Sequence, residues 1–136
     1  MRHIKCMASW ASVCFCMFIL VSQVTASPAP NAAVYRGYCV SDPGQSVIYF
    51  SDNDLTALAT AQGNKAAASV EGPVKKAFEE FLRQKYSFNG HGSSVCGFEQ
   101  ASRTSPADVI AEANRKRALF KSQKKKIIDT GWKYPK

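Results

Sequence analysis

Beyond residue 26 the chain keeps only two cysteines, Cys39 and Cys96. In an exported protein such a pair most simply forms one disulfide. The bridge closes a ~57-residue loop and is worth on the order of 4 kcal/mol in the chain-entropy model. That is a large share of the stability of a small domain. Any fold must therefore bring the segments around Cys39 and Cys96 together, and the alternating pattern around each predicts neighbouring strands. There is no Cys-x-x-Cys spacing, and His91 is the only histidine beyond the first residues. The pair therefore reads as structural, with no metal ligand set and no cofactor motif.

The compartment that allows this bridge is read from the N-terminus. "MRHIKCMASWASVCFCMFILVSQVTASPAP" opens with Arg2, His3 and Lys5, continues as an apolar run from Met7 to Val24, and leaves through the small residues of Val24-Thr25-Ala26. This is the layout of a secretory signal. A membrane anchor is the competing reading, since ~18 apolar residues can just span a bilayer, but Ser9, Ser12 and Ser22 interrupt the run. The expected organisation is a cleaved signal over 1–26, a disordered lead over 27–33, and a single domain over 34–136 without a membrane span. The expected location is secreted or periplasmic.

Within that domain, "VYRGYCV" alternates. Val34, Arg36, Tyr38 and Val40 fall on one face, and Tyr35, Gly37 and Cys39 on the other. Asp42, Pro43 and Gly44 supply turn chemistry before "VIYF" at 47–50, which predicts a hairpin. Residues 52–70 lack a firm period. Within them "DNDLTALATAQ" reads as a short helix capped by Asp52 or Asp54. The clearest element is "EGPVKKAFEEFLRQKYSFNG". Pro73 suits a first turn, Val74, Ala77, Phe78, Phe81 and Leu82 form an apolar stripe, Glu79 and Arg83 pair on the wet face, and Asn89-Gly90 offers a left-handed stop. "SSVCGFEQ" predicts a third strand. A second helix follows, with Ser105 as cap, Pro106 at its first position and Asp108 in its first turn. Its face carries Val109, Ile110, Ala113 and Phe120. "IIDTGWKY" predicts a last strand with Ile128, Thr130, Trp132 and Tyr134 on one side. The expected fold is α+β: a small four-stranded antiparallel or mixed sheet in the order ββαβαβ, with both helices packed on one face.

The charge is uneven. The full chain carries a net +8, yet residues 113–136 alone hold nine cations against Asp129. Arg115, Lys116, Arg117, Lys121, Lys124, Lys125 and Lys126 crowd the end of the second helix and the connection after it. The helix dipole favours cations there by ~0.3–1 kcal/mol each, which accounts for only part of the cluster. The remainder is either a solubilising face or a surface for an anionic partner, such as an envelope polymer or lipid headgroups. Nucleic-acid binding would need stacking groups beside the charge. Trp132 and Tyr134 alternate onto the face of Ile128 and read as core, which argues against specific nucleic-acid recognition.

No catalytic constellation stands out. His91 sits in the loop-like "NGHGSS", Glu79 and Glu80 are adjacent and splay apart on a helix, and no glycine-rich phosphate loop occurs. Asp52 and Asp54 are candidates for a hard cation, with capping as the simpler role, and a small hydrolase would have to use Asp52, Asp54 or His91. The domain therefore reads as non-enzymatic. A protein-binding accessory or inhibitor module for a secreted partner is the alternative, using residues 52–70 or 87–94. The succession of a Tyr-Cys strand, "YFSD", "FEEFLRQKY", a second cysteine, a basic helix and a closing "TGWKY" resembles small exported bacterial proteins of unassigned function, a likeness that carries no activity. "VCGFEQASRTSPADVIAEANRKRALFKSQKKKII" is similar in rhythm to the second half of sporulation-related peptidoglycan-binding repeats. The first half departs from that pattern, because a hairpin precedes the first helix and a disulfide is added.

Overall fold

The computed structural model describes residues 32–89 and 93–135. The leader, most of the lead and His91 lie outside the described residues. Five strands and two helices follow along the chain: β1 (Val34–Asp42), β2 (Val47–Phe50), β3 (Leu55–Leu58), α1 (Ala66–Tyr86), β4 (Ser93–Gln100), α2 (Pro106–Ser122) and β5 (Lys126–Asp129). The α+β class holds. The sheet is mixed and five-stranded rather than four-stranded.

β1 organises it. One edge of β1 pairs antiparallel with β4 from Tyr35 to Asp42. The other edge pairs with β2 at Val40 and Ser41 and with β3 at Val34 to Gly37. Residues 51–54 lie between these two registers and face only Tyr38 and Cys39, so β2 and β3 are two halves of one strand split by a wide bulge. Ser51 makes the bulge tolerable. Its N–H donates to the Cys39 carbonyl, and its hydroxyl accepts from the Cys39 N–H at 2.8 Å. β5 adds parallel to β2, with Phe50 opposite Asp129.

The predicted helix over 52–62 is not formed. Leu55 and Ala57 are buried with their alternate neighbours facing outward, which is strand periodicity. α1 in turn begins at Ala66, well before the expected first turn at Pro73, and carries Pro73 inside it. A proline in a helix interior costs about 3 kcal/mol. The apolar stripe outweighs it by reaching back through Val70 to Ala66, so that Ala66, Val70, Val74, Phe78 and Leu82 are all buried. The left-handed stop is at Ser87 (φ 54°), ahead of Asn89-Gly90, and buried Phe88 anchors the exit. Arg83 bonds Glu80 at 2.9 Å more closely than Glu79 at 3.9 Å. α2 starts as the sequence implies: Pro106 is its first residue, and Ser105 and Asp108 form a reciprocal capping box.

The helices lie on opposite faces of the sheet, which corrects the expectation that both share one. α1 packs on Cys39, Leu55, Ala57, Cys96 and Phe98. The other face, carrying Tyr38, Val40, Ile48 and Phe50, is covered by Val109 and Ala113 of α2, with Phe120 and Ile127 alongside. The reason lies in β1, where both alternating sets are apolar, so each face needs its own cover. The last strand is also shorter than "IIDTGWKY" suggests. β5 ends at Asp129, Gly131 turns with φ 64°, and Trp132 and Tyr134 fold onto the α1 side. The Trp132 ring lies 5.1 Å from that of Phe78. The Cys39–Cys96 disulfide is formed. No helix among the described residues is long and apolar enough to cross a membrane.

Candidate functional site

The seven cations of the basic segment differ in what surrounds them. Arg115 turns back along α2 to the Glu112 carboxylate. The Lys116 ammonium lies 5.7 Å from the ring centre of Tyr38. Arg117 is largely buried. Its Nε donates to Asp129 at 2.8 Å, and its guanidinium sits 4.2 Å from the centre of the Phe50 ring. Lys125 pairs with Asp42 at the start of the β1–β2 turn. Four of the predicted residues are thus occupied with local partners. Lys121, Lys124 and Lys126 remain, all exposed and without an acidic partner among the described residues.

Those three are gathered by the way α2 ends. The Lys124 N–H donates to the Lys121 carbonyl and the Lys125 N–H to the Phe120 carbonyl. Lys124 itself takes a left-handed conformation, φ 58°. The Lys126 N–H then reaches the Ser46 carbonyl, which starts β5 beside β2. One tight turn therefore carries three free ammonium groups at the negative end of the α2 dipole.

A cleft at the opposite end of β5 was not legible beforehand. Past Phe50 of β2 and Asp129 of β5 the two segments stay joined by backbone bonds, and a cavity of about 360 Å³ lies between the bulge and α2. Asp52 and Asn53 line it from the bulge, Asn114 and Arg117 from α2, and Asp129 and Gly131 from the end of β5. The walls are held by backbone bonds. The Thr130 N–H and hydroxyl both donate to the Phe50 carbonyl, and the Asp52 N–H donates to the Trp132 carbonyl at 2.8 Å. Asp52 lies 3.4 Å from the Lys133 ammonium. Two groups have no hydrogen-bond partner although they are closed off from solvent: Asn53 Oδ1 and Arg117 Nη1.

Asp52 and Asp54, paired in the sequence reading, part company here. Asp54 turns to Arg36 at 3.0 Å, and only Asp52 reaches the cleft. His91 is outside the described residues, so no site including it can be drawn. Among the described residues no three carboxylate, histidine or cysteine side chains converge as metal ligands. A second hollow of about 420 Å³ lies along β4, lined by Arg36, Tyr38, Gly97, Glu99, Glu112 and Lys116 among others. Burial, and then the Glu112 charge, push the Tyr38 phenol up to about 12. Tyr38 therefore stays protonated near neutrality and is no base or nucleophile there.

Comparison with protein-family models, with curated proteins and with solved structures finds no match for this chain. Neither likeness drawn from the rhythm of the sequence is backed by a family match, and function rests on geometry. The one sequence cue to the cleft was the polar run "SDND", which interrupts an alternating pattern. Its partners Asn114, Arg117 and Asp129 lie more than sixty residues further on, and only the topology brings them to it.

Proposed function

We propose that the protein is an exported, non-enzymatic domain whose α2–β5 turn contacts an anionic surface through Lys121, Lys124 and Lys126. One observation carries this reading: these lysines are exposed on a single turn and unpaired, whereas Arg115, Arg117 and Lys125 are neutralised by carboxylates. The formed disulfide fits an oxidising compartment. A lysine held against an anionic membrane is worth about 1 kcal/mol and acts only within a Debye length. Three of them give adhesion that is weak and salt-sensitive. Co-sedimentation with vesicles containing an anionic lipid, and with an acidic polysaccharide, tests the proposal at low and moderate salt. Replacing all three lysines by glutamate should weaken binding by about 100-fold or more. Binding that survives this replacement, or that ignores salt, overturns it.

A protein-binding role is the second reading, favoured by β4. One edge of this strand pairs with β1, and no strand among the described residues pairs with the other. Val95 on β4 is 54% exposed. An extended segment of a partner could add there by backbone hydrogen bonds. Its affinity would be insensitive to salt, and Val95→Asp, a charge at this exposed position, should reduce it while leaving vesicle binding intact.

A further inference from the structure

The cleft between the bulge and α2 is independent of the lysine turn and has its own chemistry. Two residues that line it each hold a polar atom without a protein partner, the donor Arg117 Nη1 and the acceptor Asn53 Oδ1, both shielded from solvent. Polar groups left in that state are costly, and native proteins rarely leave them without a role. Arg117 cannot swing away to relieve it, because Asp129 holds its Nε and Nη2 and Phe50 packs against its plane.

These two groups restrict what the cleft can take. A carboxylate offers only acceptors. It would satisfy Arg117, leave Asn53 Oδ1 unmet, and face the carboxylates of Asp52 and Asp129. An ammonium group offers only donors and leaves Arg117 Nη1 unmet. The formal charges of the cleft are already matched, Arg117 with Asp129 and Lys133 with Asp52, so neither kind of ion gains from entering. A hydroxyl both accepts and donates and carries no charge. Adjacent hydroxyls on a rigid ring could meet these two groups together with the Asn114 amide and the Asp52 carboxylate. The volume of about 360 Å³ is at the small end of ligand sites, suited to one ring rather than a long chain.

We propose that the cleft bounded by Asp52, Asn53, Asn114, Arg117 and Asp129 binds a neutral polyhydroxyl ligand, one sugar ring in size. Because both atoms are closed off from solvent, ligand entry requires the Asn53 side chain to turn aside and open the cleft towards them. The inference does not rest on Lys121, Lys124 or Lys126, and either proposal can fail without the other.

The test is a titration of the ¹⁵N-labelled, disulfide-bonded protein with a hexose, a pentose and an N-acetylhexosamine, and separately with inorganic phosphate and with acetamide. The side-chain amide signals of Asn53 and Asn114 and the Nε–H of Arg117 should shift and saturate with at least one sugar, in the millimolar range. Asn114→Ala, at an exposed helix position where alanine keeps the fold, should weaken that sugar about fivefold, as expected for one lost neutral hydrogen bond. Lys121→Glu should leave it unchanged. Asn53→Asp places a negative charge in the cleft and should weaken the sugar without a shift elsewhere in the spectrum. No saturable shift at these three residues with any sugar, stronger saturation by phosphate or acetamide, or an unaltered affinity in both Asn variants would each overturn the proposal.

Discussion

Cys39 and Cys96 stand directly opposite each other on β1 and β4, their Cα atoms 4.1 Å apart, on the sheet face that α1 covers. The bond joins the central strand to an edge strand that has no other strand beyond it among the described residues. Its removal therefore acts on a pairing that also runs over eight residues of β1 and packs against α1. Replacing both cysteines by serine should lower the unfolding free energy by about 2–4 kcal/mol, with two buried hydroxyls adding to the loss. Urea unfolding of the oxidised, reduced and double-serine proteins measures it. A reduced protein as stable as the oxidised one would show that packing alone holds β4.

Gly37 and Gly97 look equivalent in the sequence and are not. A Cβ on Gly37 would lie 2.0 Å from the Gly97 carbonyl oxygen and 2.8 Å from the Phe98 ring, whereas one on Gly97 meets open space. The backbone oxygen cannot retreat without breaking the β1–β4 register. Gly37→Ala should cost about 1–3 kcal/mol through overpacking, and Gly97→Ala should stay within about 0.5 kcal/mol of the parent. Thermal melts of the two single variants decide it, and equal losses would contradict the close approach.

Much of the fold could be read from local chemistry. The strands at Val34–Asp42, Val47–Phe50 and Ser93–Gln100 and the Ser105 cap of α2 are each encoded within a few residues of where they form, and the disulfide follows from there being only two cysteines beyond residue 26. What failed was long-range or cooperative. The Pro73 signal for a helix start was overridden because Ala66 and Val70 bury against a sheet that only exists once β3 is in place. The placement of α2 on the second face follows from the two apolar sets of β1, a pattern present in the strand itself that does not say which helix covers which set. The basic run was legible as charge. Its division into paired and free members was only partly so: Glu112 reaches Arg115 within one turn of α2, but Asp42 and Asp129 reach the run through topology. Arg117 is the clearest case: a cation counted with a surface patch is instead packed on Phe50 between helix and sheet.

The start of α2 should respond to acid. Asp108 accepts hydrogen bonds from the Ser105 hydroxyl and N–H, and these hold its carboxyl below the usual aspartate value. A lowered folded value means that the ionised form is favoured by folding. Its contribution is present above the ordinary value of 3.8 and is lost as pH falls below that toward the lowered value. Ser105→Ala should lower the melting temperature by several degrees at neutral pH. The gap between parent and variant should then narrow under acid conditions, because the parent loses what the variant already lacks. A gap that is constant from neutrality into this acid range would exclude the coupling.

Arg117 and Lys124 lie seven positions apart in one basic run, yet their replacement should have opposite consequences. The Arg117 side chain is only 12% exposed, bonded to Asp129 and set against Phe50, while Lys124 projects from the turn without a partner. Arg117→Met keeps much of the length but leaves the Asp129 carboxylate without its cation, and should cost on the order of 2 kcal/mol. Lys124→Met should change stability by less than about 0.5 kcal/mol while reducing adhesion to anionic vesicles. Because Asp129 loses its role with Arg117, the double variant Arg117→Met with Asp129→Asn should cost less than the sum of the two single changes. Denaturant unfolding of the four proteins, read beside vesicle co-sedimentation, separates the two roles. If Arg117→Met left stability intact and Lys124→Met lowered it, the partition of the basic run into a structural half and a free half would be wrong.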